Sequence, residues 1–163
     1  MTELEVNEEI KEAFQQYHSI LVDLKDLYSK IEEQYKNLPS TRKLKIDYED
    51  AVLLSSSCKF ESNKAWKMSV QAHESIQVDV DYFTSVLKYE VSEQSLKNKG
   101  FDKITDSMRE SFVRMNKPLK DLLKASAELL SIRLSLEKNV RGFDNSETSY
   151  RKMAEIKAIT ERF

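Results

Sequence analysis

The sequence predicts an all-α protein of long antiparallel helices, packed as a coiled-coil-like bundle that self-assembles. Only two glycines and two prolines occur among 163 residues, so the chain offers few places for a helix to end. Apolar residues recur at alternating spacings of three and four, which is the period of a helix face. The stretch from Asn116 to Phe143 also carries more apolar surface than one partner helix can bury.

The length of the chain is that of one domain, and we predict a single helical domain over residues 1–163. Four helices are expected, over residues 7–38, 41–97, 105–116 and 117–163. The pattern leaves open a bend within 41–97 and a break near 142–146, where Asp144, Asn145 and Ser146 interrupt the apolar face.

The first helix has the most regular pattern in the sequence. Asn7 is its expected N-cap, Glu8 and Glu9 suit the positive end of the helix dipole, and Pro39 ends it. The apolar positions are Ile10, Phe14, Tyr17, Leu21, Leu24, Tyr28, Ile31, Tyr35 and Leu38. Its three tyrosines could stack on nucleic-acid bases, but aromatic residues at helical spacing are more typical of a core. We therefore assign them to the core.

The second helix carries a row of small residues, after an expected N-cap at Ser40 or Thr41. This small-residue row consists of Ala51, Ser55, Cys58, Ser62, Ala65, Ser69 and Ala72. Small side chains let a neighbouring helix approach closely, so we expect this face to be buried. Large residues on the other faces, such as Phe60 and Met68, predict burial from a second side or contact with another subunit.

Residues 76–82 alternate between apolar and polar, which taken alone is a strand pattern. We interpret them as helix, because Ile76, Val80, Phe83 and Leu87 also fit helical spacing and no partner strand is evident. Asn98, Lys99 and Gly100 are expected to end this helix. Thr105 is the expected N-cap of the short helix that follows.

The last helix is expected to begin at Asn116, with Pro118 tolerated in its first turn. Its predicted apolar face consists of Leu119, Leu122, Leu129, Leu136, Val140 and Phe143. Leu123, Leu130 and Leu134 widen this face, so we expect more than one partner helix. Ser126 and Arg133 interrupt the face and need hydrogen-bonding partners.

The net charge of -2 conceals an uneven distribution along the chain. Residues 1–94 hold 11 lysines and arginines against 18 acidic residues, whereas residues 95–163 hold 15 against 10. Two interpretations stay open at this point. The two parts can pair with each other or with another copy, or the basic part can face an anionic partner.

The residues needed for catalysis or metal binding are sparse. Cys58 is the only cysteine, which excludes an internal disulfide and fits a reducing compartment. With His18 and His73 as the only histidines, we expect no metal site, no cofactor and no catalytic residues, and hence no enzyme. No signal peptide or membrane span is evident, so a cytoplasmic protein without membrane contact is expected.

The most suggestive charges are Arg42, Lys43 and Lys45, which fall in the first turns of the predicted second helix. The helix dipole disfavours cations there, unless an anion such as a phosphate binds both the side chains and the free N–H groups. Solvated lysines are the commoner outcome, so these residues form a candidate anion site only.

Two segments resemble a known family. The block "KITDSMRESFVRMNKPLKDLLKASAELLSIRLSLEKNVRGFDNSETSYRKM", from Lys103 to Met153, resembles the C-terminal region of the UvsY-type phage recombination mediators and related small helical phage proteins. It has the threonine-capped short helix ending at Asn116 and the long helix leading to an Arg-rich turn, here Arg141 and Gly142. Upstream, "KLKIDYE" is similar to the family's lysine-rich segment.

The resemblance implies a cytoplasmic phage protein, in the host cytoplasm, that forms a ring-like homo-oligomer. It implies binding of single-stranded DNA at Lys43 and Lys45, with Arg42 beside them. It also implies that the protein helps a recombinase to replace the single-strand-binding protein on DNA. The alternative is a non-enzymatic helical scaffold or adaptor that acts through coiled-coil contacts between proteins.

Overall fold

The computed structural model describes residues 1–40 and 45–163, and these residues confirm the all-α prediction. Five α-helices follow one another: α1 Glu3–Lys36, α2 Tyr48–Val86, α3 Ser92–Asn98, α4 Asp106–Met115 and α5 Lys117–Thr160. A π-helical segment, Leu87–Val91, joins α2 to α3. Within the described ranges there is no strand, and no helix is long and apolar enough to cross a membrane.

The first helix begins four residues earlier than predicted, at Glu3. Thr2 and Glu5 form a reciprocal capping box: the Thr2 N–H donates to the Glu5 carboxylate at 2.7 Å, and the Glu5 N–H donates to Thr2 Oγ1 at 3.3 Å. Asn7 is therefore inside the helix and not its cap. At the other end α1 stops at Lys36, two residues before the predicted end.

The second helix begins at Tyr48, not at residue 41. Asp47 Oδ1 accepts hydrogen bonds from the N–H groups of Glu49 and Asp50, at 3.1 and 3.2 Å, and this caps the helix. Lys45 therefore precedes the helix and does not belong to its first turn. Ser40, one of the predicted caps, lies eight residues before the first residue of this helix, and Thr41, the other, lies outside the described residues.

The chain divides into two compact units. Unit 1 comprises Met1–Val22 and Gln71–Leu130, and unit 2 comprises Asp23–Val70 and Ser131–Phe163. Helices α1, α2 and α5 each contribute residues to both units. The single domain that we expected over residues 1–163 stays a prediction.

In unit 1, α1 runs antiparallel to the chain from α2 to α3, as predicted. The Tyr17 hydroxyl donates to Asp79 at 2.6 Å, while the Ser95 hydroxyl donates to Glu3 at 2.8 Å, so positions late in one segment meet positions early in the other. Residues 76–82 are helical, which confirms our interpretation of the alternating stretch. The buried apolar side chains include Val6, Ile10, Leu21, Ile76, Phe83, Leu87, Val91, Leu122 and Leu129.

The predicted helix ends in unit 1 are confirmed. Gly100, at φ 92°, follows α3, and the N–H groups of Gly100 and Phe101 donate to the carbonyls of Lys97 and Leu96, which is a Schellman motif. Thr105 caps α4. Asn116 caps α5, with its Oδ1 2.9 Å from the Leu119 nitrogen and its Nδ2 2.7 Å from Asn7 Oδ1. The Asn7 side chain thus links α1 to the start of α5.

In unit 2, the small-residue row of α2 is buried, as predicted. All its members from Ala51 to Ser69 are nearly inaccessible to solvent, as is Ala72 in unit 1. The Ser55 hydroxyl donates to the Phe143 carbonyl at 3.0 Å, a bond that requires the two helix backbones to lie close together. Lys59 forms an ion pair with Asp144 at 2.6 Å on the adjacent turn.

The sequence left open a break in α5 near residues 142–146, and the structure shows that the helix continues through them. Five of the six predicted apolar positions are buried, which confirms most of the predicted face: Leu119, Leu122, Leu129, Leu136 and Phe143. Between them, Ala125, Ile132 and Asn139 are buried instead of Ser126, Arg133 and Val140, each of which follows by one residue. The leucines that were expected to widen this face are exposed, namely Leu123 at 47%, Leu130 at 40% and Leu134 at 55%. A narrow buried face with three-and-four spacing is enough for the contacts that α5 makes within one chain.

We predict that Ala65→Leu destabilises the protein by about 1 to 3 kcal/mol, because a larger side chain overpacks a buried close contact. Urea unfolding followed by circular dichroism measures this change. Ser57→Leu, at an exposed position of the same helix, serves as the control and should change stability by less than about 0.5 kcal/mol. Equal stabilities for the two variants would show that the small-residue row is not a tight contact.

Candidate nucleic-acid interface

Lys45, the one described member of the predicted basic cluster, is exposed. It lines a cleft of about 620 Å³ in unit 2, together with Tyr48 of α2 and Lys157 of α5. None of the ion pairs between described residues involves Lys45.

The surroundings of Lys45 are not uniformly positive. Asp47, Glu49 and Glu161 line the same cleft, and Lys157 lies 3.9 Å from the Glu161 carboxylate. Asp47 also accepts hydrogen bonds from two of the first N–H groups of α2. The start of this helix is thus occupied by a carboxylate, and an anion would meet lysine side chains instead of backbone N–H groups.

The other sequence-predicted cations fall in different parts of the chain. Arg42 and Lys43 lie outside the described residues. Lys97 and Lys99 belong to unit 1, where Lys97 pairs with Glu93 at 2.7 Å and Lys99 lies over the Phe112 ring at 5.6 Å. Lys97 and Lys99 therefore already have partners within unit 1, whereas Lys103 is exposed.

A second groove in unit 2 combines aromatic, basic and amide side chains. It has a volume of about 560 Å³ and lies between α1 and α5. We call it the tyrosine groove, and it is lined by Tyr28, Glu32, Tyr35, Ser135, Lys138, Asn139, Arg141, Gly142 and Asn145. Aromatic faces next to cations are the usual elements of single-stranded nucleic-acid sites.

Within unit 2, α1 and α5 run parallel, and this arrangement builds the groove. Tyr28 lies within hydrogen-bonding reach of Ser135. Seven residues further along α1 and eight further along α5, Tyr35 meets Phe143 edge-on at 5.2 Å. Tyr28 and Tyr35, which are seven residues apart on α1, therefore lie against the same side of α5. Tyr28 is half-buried, whereas Tyr35 is 41% exposed.

Gly142 provides the space that the Tyr35 ring occupies. A Cβ atom at position 142 would lie 2.9 Å from Tyr35 Cε2 and 3.3 Å from the Tyr35 hydroxyl oxygen. These distances are too short for an alanine unless the ring moves. The glycine is thus needed for close approach of the ring and not for an unusual backbone conformation.

Both positively and negatively charged side chains line the tyrosine groove. Lys138 and Arg141 are exposed, and Arg141 is paired with Glu137 one turn earlier at 2.7 Å. Glu32 lies within hydrogen-bonding reach of the Tyr28 hydroxyl. Burial, the hydrogen bond to Glu32 and the negative charge of Glu32 raise the pKa of Tyr28. Tyr28 is therefore a neutral hydrogen-bond donor at physiological pH.

The sequence interpretation missed this groove for identifiable reasons. It assigned Tyr28 and Tyr35 to the core, which holds for Tyr17 but not for Tyr35. It expected Arg141 and Gly142 in an Arg-rich turn, whereas both lie inside α5. The usable signal was the combination of tyrosines at heptad spacing with a glycine in an otherwise unbroken helical pattern.

The described residues offer little for metal or thiol chemistry. They contain no group of three or more His, Cys, Asp or Glu side chains arranged to hold a metal ion. Cys58 is buried in the small-residue row, and burial raises the pKa of its thiol. Asp79 accepts a hydrogen bond from the Tyr17 hydroxyl.

Comparison with protein-family models, curated proteins and solved structures found no match to this chain. The resemblance to UvsY-type mediators therefore stays a prediction that rests on the two quoted segments. The interface described above depends on the residues of this chain alone.

We predict that Cys58 reacts slowly with iodoacetamide in the folded protein, because its thiol is buried and a raised pKa lowers the thiolate fraction. At pH 8 the rate should be at least about tenfold lower than in urea-unfolded protein, as measured by mass spectrometry. Raising the pH to 9 should multiply the rate for the native protein by a larger factor than the rate for the unfolded chain, because a thiol with a raised pKa is further from full ionisation. Equal rates in the two states would contradict the burial of this face.

Proposed function

We propose that this protein is a single-stranded-DNA-binding, recombination-mediator-like protein that assists the loading of a recombinase in phage DNA recombination and repair. The observation that carries the proposal is Lys45, which is exposed and makes no ion pair with the described residues. An unpaired surface ammonium can exchange its solvent for a DNA phosphate without breaking an existing contact. The neighbouring Arg42 and Lys43 add two more positive charges in sequence.

The small net charge of the chain means that assembly is part of the proposal. One subunit of net charge -2 attracts DNA weakly, whereas the same basic cluster repeated around a homo-oligomer forms a positive track. The bonds go mainly to phosphates, so little sequence preference is expected. Bound in this way, the strand is accessible to a recombinase and to the single-strand-binding protein, the two protein partners that the resemblance implies.

We predict that Lys43→Ala/Lys45→Ala weakens binding of labelled single-stranded DNA, measured by fluorescence anisotropy at several salt concentrations. Each lost phosphate contact should reduce the slope of log K against log salt by about 0.7. The variant should therefore differ most from the unmodified protein at low salt.

A matched variant, Lys64→Ala/Lys67→Ala, removes the same two charges from exposed positions of α2. It controls for the change in net charge and should bind almost as tightly as the unmodified protein. No binding by the unmodified protein at about 50 mM salt would refute the DNA-binding proposal. Equal losses in the two double variants would show that net charge, not the Lys43 and Lys45 cluster, determines binding.

A second function, that of a helical scaffold or adaptor, is favoured by the exposed leucines of α5. Leu123, Leu130 and Leu134 lie at spacings of seven and four, which places them on one side of the helix. Such a row is suited to pack against another helix. In this case the protein acts through protein contacts and needs no DNA.

We predict that the protein is a homo-oligomer at micromolar concentration, measured by light scattering after size exclusion. Leu123→Gln/Leu130→Gln should lower the mass by removing the apolar contact, while circular dichroism stays unchanged because both side chains are exposed. Leu53→Gln, on the exposed side of α2, is the control. A monodisperse 19.1 kDa species for the unmodified protein would contradict the assembly proposal.

A further inference from the structure

We propose that the tyrosine groove of unit 2 binds one nucleotide of the single strand, with the base stacked on Tyr35 and the phosphate held by Arg141 and Lys138. This inference rests on the proposed DNA-binding function and adds a base-contacting site to it. It assigns a role to residues that the basic cluster around Lys45 does not include. The groove volume, about 560 Å³, lies within the range of small-ligand sites.

The Tyr35 ring has the restraint and the exposure that base stacking requires. The ring is packed edge-on against Phe143 and against the backbone at Gly142, so its position is restrained from one side while 41% of the residue stays exposed. A restrained aromatic ring loses little conformational freedom when a base stacks on it. Every base has a π face, so this contact requires no particular sequence.

Asn139 is the strongest indication that the groove takes a polar ligand. It is only 7% exposed and occupies a buried-face position of α5 where an apolar side chain would normally pack. Its Nδ2 atom is shielded from solvent and has no hydrogen-bond partner among the described residues. A buried donor without an acceptor is costly, and rotation of the Asn139 side chain toward the groove that it lines would let a base or sugar oxygen supply the missing acceptor.

The cations suit a phosphate next to the stacked base. Lys138 and Arg141 line the groove and are exposed. Arg141 would exchange its exposed contact with Glu137 for a phosphate, and exposed ion pairs of this kind are weak. Glu32 also lines the groove, where the Tyr28 hydroxyl lies within hydrogen-bonding reach of it.

The test compares an oligothymidine with an abasic oligomer of the same length, which retains the phosphates but has no bases. Anisotropy measures both affinities at one salt concentration for the full-length protein. The unmodified protein should prefer the oligothymidine. Tyr35→Ala should reduce this preference by about 5- to 150-fold, the range of base–aromatic stacking, and leave binding to the abasic oligomer unchanged.

Tyr82→Ala, at an exposed tyrosine of α2 in unit 1, is the matched control and should retain the full preference. Failure of the unmodified protein to bind either oligomer would refute the DNA-binding function together with this site. Binding with equal affinity for both oligomers, or an unchanged preference in Tyr35→Ala, would refute the groove alone and leave the phosphate-binding proposal intact.

Two further variants keep the test decisive even where Tyr35→Ala folds poorly. Gly142→Ala should move the Tyr35 ring and reduce the base preference, although alanine favours the helix more than glycine does. Asn139→Leu should raise the melting temperature by removing an unpaired buried donor, and also reduce oligothymidine binding. A gain in stability with unchanged base preference in both variants would contradict the proposed site.

Discussion

The close approach of α2 to its neighbours in unit 2 is the constraint on which the other features of that unit depend. Side chains no larger than serine, alanine or cysteine form the contact, and Ser55 donates a hydrogen bond to the backbone of α5 at Phe143. Small polar side chains permit this approach only if their hydroxyls find acceptors, as Ser69 does with the Trp66 carbonyl at 2.6 Å. Ser62 is an exception among the described residues. Packing at this face therefore limits which side chains α2 can carry.

The packing of α5 against α2 also positions the tyrosine groove, which lies between α5 and α1. Phe143 is fully buried, with its carbonyl bonded to α2 and its ring against Tyr35 of α1. Gly142, the preceding residue, then lies beneath the Tyr35 ring. Asn139, one turn earlier, occupies a buried position without an acceptor for its Nδ2 in the described structure. Asn139 thus lowers the stability of the fold at the position where the proposed nucleotide site needs a hydrogen-bond donor.

Much of the fold could be predicted from the sequence, because it depends on local signals. The small-residue row, the Gly100 helix end and the Asn116 cap each follow from residue type and spacing. Most of the buried face of α5 was predicted, but its width was not, since leucines also recur beside this face and only the partner helices decide that Leu123, Leu130 and Leu134 stay exposed. The tyrosine groove was missed because exposure of Tyr35 depends on the parallel pairing of α1 with α5, a contact between residues far apart in sequence.

Photo-crosslinking to an oligonucleotide carrying 5-iododeoxyuridine tests the central claim most directly, because this base forms adducts with aromatic side chains that stack on it. Digestion and mass spectrometry identify the tyrosine that carries the adduct. Binding of the base in the tyrosine groove predicts an adduct at Tyr35. Adducts confined to Tyr82 or Tyr89, the exposed tyrosines of unit 1, or no adduct under conditions where the DNA is bound, would contradict it.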